Sequence, residues 1–182
     1  MQFFSKKKKQ NNEDIVEEVI LEHYNQYFRL AYSYVHNEAD ASDIVQNGAY
    51  KALRGSNTLK NPEYASTWVY RIMLNEIFSF LRQPKLESFE HMQEERGDIG
   101  EATVDSYCDM DLQQALDTLS PREKAIVSMK YFEEKTLEEI AEILDENVNT
   151  VKSILYRSLR KLRVKLEEEP EAVNKNARKG IV

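Results

Sequence analysis

Several residue types are scarce in this chain, and each scarcity narrows the field. There is one cysteine, Cys108, so neither a disulfide framework nor a cysteine-based zinc site can be built within one copy. A lone free thiol fits a reducing cytosol. Five glycines and four prolines in 182 residues argue against a β-rich fold with many tight turns. No apolar run approaches the ~20 residues of a membrane span. The opening MQFFSKKKKQNNED carries charge with no apolar core behind it, so it does not read as a signal peptide and a cytoplasmic location is expected. Histidines stand only at His23, His36 and His91. No Gly-rich phosphate loop or nucleophile motif accompanies them, so neither an enzyme nor a metal or cofactor site is expected.

What is present is helix. Hydrophobic residues make up 41% and charged residues 31% of the chain, and long Glu/Lys/Leu/Ala-rich segments carry apolar residues at helical spacing. The expected fold is all-α, with two small helical domains joined by an acidic flexible linker. Residues 1–12 read as a disordered basic tail around Lys6–Lys9. The first domain, 13–83, opens on a stripe of Ile15, Val16, Val19, Ile20, Tyr24, Tyr27, Phe28, Ala31, Tyr34 and Val35. A second helix is expected from about Ala39 to Leu53, then the loop RGSNTLKNPEYAS, then a third helix, TWVYRIMLNEIFSFLRQ, that stops before Pro84. Residues 84–108 are rich in Asp and Glu with sparse, unphased apolar residues, which reads as an extended linker.

Residues 109–168 are punctuated more strongly. LSPREKAIVSMKYF places Ser120 as N-cap, Pro121 at the first helical position and Glu123 as its capping-box partner. TLEEIAEIL repeats the box with Thr136 and Glu139. Asp145-Glu146-Asn147 then breaks the pattern before a last helix. Two helices joined by so short a turn describe a helix-turn-helix. Residues 169–182 read as a flexible tail.

That last helix raises the main functional question. The chain carries a formal net charge of −7, yet residues 147–166 hold Lys152, Arg157, Arg160, Lys161, Arg163 and Lys165 and no acid. On a wheel of 100° per residue, Val148, Val151, Leu155, Leu159, Leu162 and Leu166 form a core stripe. Asn149, Thr150, Ser153, Tyr156, Arg157 and Arg160 fall on the far side. Such residues read base edges or hold phosphates: Arg pairs with guanine, Asn with adenine, Ser and Thr with phosphate oxygens. Lys152 and Arg163 flank the stripe, placed for the phosphate backbone. A solvated helix laced by its own ion pairs would need acids on the same helix. The acidic remainder argues against strong DNA binding by this chain alone.

In the first half, Trp68, Arg71, Asn75, Ser79 and Arg82 recur along one face of the third helix, beside Val69, Met73, Ile77 and Phe80. Trp68 reads equally as a core residue and as part of a DNA-facing edge. The loop before it offers Lys60, Asn61 and Tyr64, groups that can hydrogen-bond or stack on an unpaired base.

LSPREKAIVSMKYFEEKTLEEIAEILDENVNTVKSILYRSLRKLR resembles the promoter −35-reading domain of bacterial RNA polymerase sigma factors. Alone, it is similar also to the output domains of two-component and quorum-sensing regulators. EADASDIVQNGAYKAL and STWVYRIMLNEIFSFLRQ resemble the sigma helices that dock on polymerase and open the −10 element. The pair, spanning residues 13–167 with no further domain, resembles the extracytoplasmic-function (ECF) subfamily.

The resemblance implies docking on core RNA polymerase, at the clamp of its largest subunit, through Asp40, Asp43, Ile44, Gln46 and Asn47. It implies −10 contacts from Lys60, Asn61, Tyr64, Thr67, Trp68, Arg71 and Asn75, with a base flipped into the loop. It implies −35 contacts from Asn149, Thr150, Lys152, Ser153, Tyr156, Arg157 and Arg160. It further implies a linker in the RNA path and a membrane-linked anti-sigma factor in a stress or cell-envelope response, with promoter DNA as the other partner and no membrane insertion by the chain itself.

The chain departs from the family pattern at several points. Asn47 stands where Glu is usual, Ala49 where an aromatic is usual, and Ile154 where Arg is frequent. Asp145 takes a turn position where Gly is common. Gly48 sits inside a helix, at a cost of about 1 kcal/mol relative to Ala. The rival reading is a stand-alone helix-turn-helix regulator that binds DNA without polymerase.

Overall fold

The computed structural model describes residues 11–83 and 112–177, with side chains to residue 166. The expected acidic linker lies outside those residues, as does the expected basic tail up to residue 10; its last two residues, Asn11 and Asn12, are not tail but cap and open the first helix. The described residues are all helical apart from their turns, and the chain divides into two compact units between Arg82 and Gln83.

The first unit packs three helices: α1 (Asn12–Val35), α2 (Glu38–Gly55) and α3 (Ala65–Arg82). Asn11 starts α1 with a capping box, its side chain accepting from the Asp14 N–H at 2.7 Å. Asn37 starts α2 by accepting from the Asp40 N–H. Between α2 and α3 lie two one-turn 3-10 helices, Ser56–Thr58 and Pro62–Tyr64, so the expected loop is shorter and more ordered than its composition suggests. The side chain of Asn12 donates to the carbonyls of Ser56 (3.2 Å) and Leu59 (2.8 Å), which ties the loop to α1. The core is Val16, Ile20, Tyr27, Leu30 and Ala31 of α1 against Ile44, Val45 and Ala52 of α2 and Val69, Tyr70, Met73, Leu74 and Ile77 of α3. Tyr27 meets Tyr70 edge to face at 5.8 Å. Tyr24 does not join this core, because its position on α1 turns it to solvent.

Gly48 has a packing reason. A Cβ there would fall inside the contact distance of the Met73 sulfur. The glycine lets α2 and α3 approach at that level.

The second unit has one more helix than expected. Residues 112–117 are helical (α4) and contribute Ala115 and Leu116 to the core, with Leu119 just after them. Then come α5 (Pro121–Tyr131), α6 (Leu137–Leu144) and α7 (Val148–Ala177). Both expected capping boxes form, Ser120 with Glu123 and Thr136 with Glu139. Asp145 ends α6 in the left-handed conformation, φ 55°, which Asp tolerates because its short polar side chain bonds locally. Asn147 then opens α7 by accepting from the Asn149 N–H at 2.8 Å. The α7 backbone continues to Ala177, past residue 168 where a flexible tail was expected. Pro170 does not end it, although a proline inside a helix removes one hydrogen bond.

Candidate nucleic-acid and protein-binding surfaces

On α7 the wheel largely holds. Val151, Leu155 and Leu162 are buried against the rest of the unit, and Val148 and Leu159 are half-buried. Two positions differ. Leu166 is 39% exposed, so the stripe stays in phase but loses its cover there. Ser158 is fully buried, its hydroxyl donating to the Ile154 carbonyl at 2.8 Å. That back-bond satisfies a polar group that would otherwise be costly to bury.

The opposite face is open. Asn149, Thr150, Lys152, Ser153, Tyr156, Arg157 and Arg160 are all exposed and share one helix. Ile154 is half-buried at the edge of that face. The Ser153 hydroxyl donates to the Asn149 carbonyl at 2.8 Å, which leaves its oxygen as an acceptor. The capped start of α7 points its backbone N–H groups outward, where anions are favoured.

An acid from another helix reaches α7, and sequence reasoning placed it only as a cap. Glu123, on α5 and 4% exposed, accepts from Lys161 Nζ at 2.8 and 2.9 Å. It also lies 3.4 Å from Arg157 Nε. Lys161 and the two Ser120 donors hold its carboxyl well below the usual range, at about 2, against the opposing pull of burial. Helical spacing on α7 cannot reveal an acid supplied by another helix. The signal that was available is that Glu123 carries a capping role while facing inward. A second such link joins Arg122 of α5 to Glu146 in the turn before α7.

On the first unit, Asp43, Gln46 and Asn47 are exposed and Asp40 half-exposed along the outer side of α2. Ile44 is not part of that surface. It is 2% exposed in the core, so it holds the helix in place and offers no contact to a partner. Asn37, three residues before Asp40, is the N-cap of α2. Tyr50 was missed: it is 61% exposed one turn beyond Asn47, on the same face, with Arg54 Nη1 donating to its hydroxyl at 3.4 Å. The spacing 43, 47, 50, 54 carried the signal.

On α3, Asn75 is exposed while Thr67, Trp68 and Arg71 are half-buried. Trp68 is half-buried, with one edge of its ring near Gly55. Lys60, Asn61 and Tyr64 are exposed on the loop before it, and Leu59 anchors that loop in the core. Asn61 also accepts from the Glu63 N–H at 3.2 Å, capping the second 3-10 turn. The three helices thus present an acidic-aromatic face on α2 and a separate polar-aromatic edge on α3 and its loop.

Comparison with known proteins matches both units. The family model "Sigma-70 region 2" matches residues 19–86, and "Sigma-70, region 4" matches residues 109–162. The chain is 43% identical over 151 residues to RNA polymerase sigma factor SigV of Bacillus subtilis, covering 82% of this chain and 90% of the relative. It is 25% identical over 178 residues to the ECF RNA polymerase sigma factor SigW of the same organism, covering 90% and 95%. Its fold is similar to that of the sigma factor RpoE of Bartonella quintana, solved in complex with the anti-sigma factor NepR. The TM-score is 0.63 at 19% identity, over 84% of this chain and 97% of that one.

Proposed function

Because the chain belongs to the ECF subfamily of bacterial RNA polymerase sigma factors, we propose that it docks on core polymerase through α2, opens the −10 element with α3 and its loop, and reads the −35 element with α7. A sigma factor initiates transcription without catalytic chemistry of its own. Its residues supply docking, strand capture and base readout, and core polymerase makes the RNA.

The observation that carries the DNA assignment is the open face of α7. Seven polar, basic or aromatic side chains, Asn149 to Arg160, are exposed along it, and residues 147–166 hold no acid. Asn149 and Arg157 have the donors and acceptors for base edges, while Lys152 and Arg160 suit phosphates. Duplex opening costs on the order of 1.4 kcal/mol per stacked step. Tyr64 and Trp68 can offset part of that by stacking on an extruded base, with Lys60, Asn61, Arg71 and Asn75 within the same edge.

Docking on the polymerase clamp falls to Asp40, Asp43, Gln46, Asn47 and the added Tyr50. An acidic helix face with one aromatic fits a basic and apolar partner surface. An anti-sigma factor, membrane-linked and released by envelope stress, would then silence the protein by covering that face. The Bartonella relative was solved bound to an anti-sigma factor. Function in the cytoplasm follows from these partners. Among the described residues, no helix is long and apolar enough to cross a membrane.

The test is reconstitution. Purified chain added to core polymerase and promoter DNA should yield promoter-specific transcripts, and failure to form a stable complex with core would defeat the proposal. Arg157→Ala should weaken −35-dependent transcription while core binding persists. A clean shift of promoter DNA by the pure chain would instead favour the stand-alone regulator.

A further inference from the structure

We propose that Glu123 is a positioning residue for promoter readout: its carboxylate holds Arg157 in the orientation in which the guanidinium meets a base. The inference rests on the reading of α7 as the −35-facing helix.

The geometry has two halves. On one side, the Glu123 carboxylate is fixed. It is 4% exposed, and its Oε2 accepts from the Ser120 N–H and the Ser120 hydroxyl, both at 3.0 Å. On the other side it reaches two cations one turn apart on α7, Lys161 at 2.8 Å and Arg157 at 3.4 Å. The Arg157 contact is made by Nε, the nitrogen nearest the stem. A guanidinium held there keeps its two terminal nitrogens for a bidentate partner, the geometry that recognises guanine. The Arg157 side chain is 64% exposed, so without an anchor it would sample many rotamers and lose that freedom on binding.

Capping alone does not require this arrangement. The second box of the same unit, Thr136 with Glu139, caps α6 equally well, its carboxylate accepting from the Thr136 N–H at 2.7 Å and the hydroxyl at 2.8 Å. Among the described residues, no cation of α7 is paired with Glu139 in the way that Lys161 and Arg157 are paired with Glu123. The two boxes therefore separate capping from positioning within one small domain.

The experiment is in vitro transcription by the reconstituted holoenzyme on a promoter library randomised through the −35 element, with base preference read at each position. Arg157→Ala identifies the position that Arg157 reads. Glu123→Gln should lower discrimination at that position by about two- to tenfold, the range that ordering one rotamer-rich side chain supplies. Other positions and core binding should hold, and Glu123→Gln should add nothing in the Arg157→Ala background. One control keeps structural loss apart: Glu139→Gln, which removes a cap without touching Arg157, should lower thermal stability yet leave the base profile in place. A uniform loss across all positions on Glu123→Gln, or an unchanged profile, overturns the positioning role alone. An Arg157→Ala enzyme with no altered position overturns the α7 reading and the positioning role together.

Discussion

Gly48 is where helix propensity and packing pull in opposite directions. Alanine would favour the helix by about 1 kcal/mol, but its Cβ would press on the sulfur of Met73, a side chain 1% exposed that would have to shift. Overpacking of that kind costs typically 1–3 kcal/mol. Gly48→Ala should therefore destabilise the protein by about 1 kcal/mol, read as a lower urea midpoint, and much of that loss should vanish when Met73 is also truncated to Ala. A net gain in stability from Gly48→Ala would show that Met73 moves aside freely. From sequence the glycine looked only like a defect, because the neighbour that demands it lies on another helix. Tyr50 is the converse case, visible in the spacing 43, 47, 50, 54 but passed over. It is 61% exposed, so Tyr50→Ala should leave the melting temperature nearly unchanged. Aromatic anchors dominate many interfaces, so its affinity for core polymerase should fall about tenfold by surface plasmon resonance, a loss of about 1.4 kcal/mol. Unchanged affinity would remove Tyr50 from the docking face.

The helices themselves were legible to the degree that their signals are local. Ser120-Pro121-Glu123 and Thr136-Glu139 mark helix starts within four residues, and both boxes form as read. Asp145 marked the end of α6 for the same reason. The short α4 and the run of α7 past residue 168 carried no comparable punctuation. The wheel gave the facing of α7 but could not say where its neighbours stop, hence the exposure of Leu166. Nor could it show that Ser158 would be buried, since nothing in phase alone tells how closely another helix approaches. The ion pairs between α5 and α7 are the element-scale consequence. Glu123 has its carboxyl lowered from 4.5 to about 2, chiefly by the Lys161 hydrogen bond. A depressed carboxylate stabilises the fold at pH values above the unfolded-state pKa, and that stabilisation is lost as pH falls through the folded-state value. The second unit should thus lose stability between about pH 4.5 and pH 2, and Glu123→Gln should flatten that part of the profile in acid melts followed by circular dichroism. An identical pH profile in the variant would mean that other carboxylates govern acid unfolding.

At the scale of the whole chain, charge decides what the protein can do alone. Its formal net charge is −7, while residues 147–166 are purely basic. DNA affinity at physiological salt comes largely from phosphate neutralisation. A lone basic face on an acidic chain is repelled overall even where it attracts locally. Lys161, moreover, is already paired with Glu123, so not every cation on α7 is available to phosphate. The pure chain should therefore bind promoter DNA weakly and with little sequence preference, and the holoenzyme should bind it tightly. Within the holoenzyme, Arg160→Ala should weaken binding to all −35 sequences alike and reduce the salt slope by about one counterion. Arg157→Ala should instead cost discrimination at one base position. Filter binding across a salt series separates the two: the slope changes for Arg160 and the base preference for Arg157. If the pure chain already discriminated promoter from random DNA as well as the holoenzyme does, polymerase would not be what brings α7 to its site. The acidity of the rest of the molecule would then have no bearing on how it finds DNA.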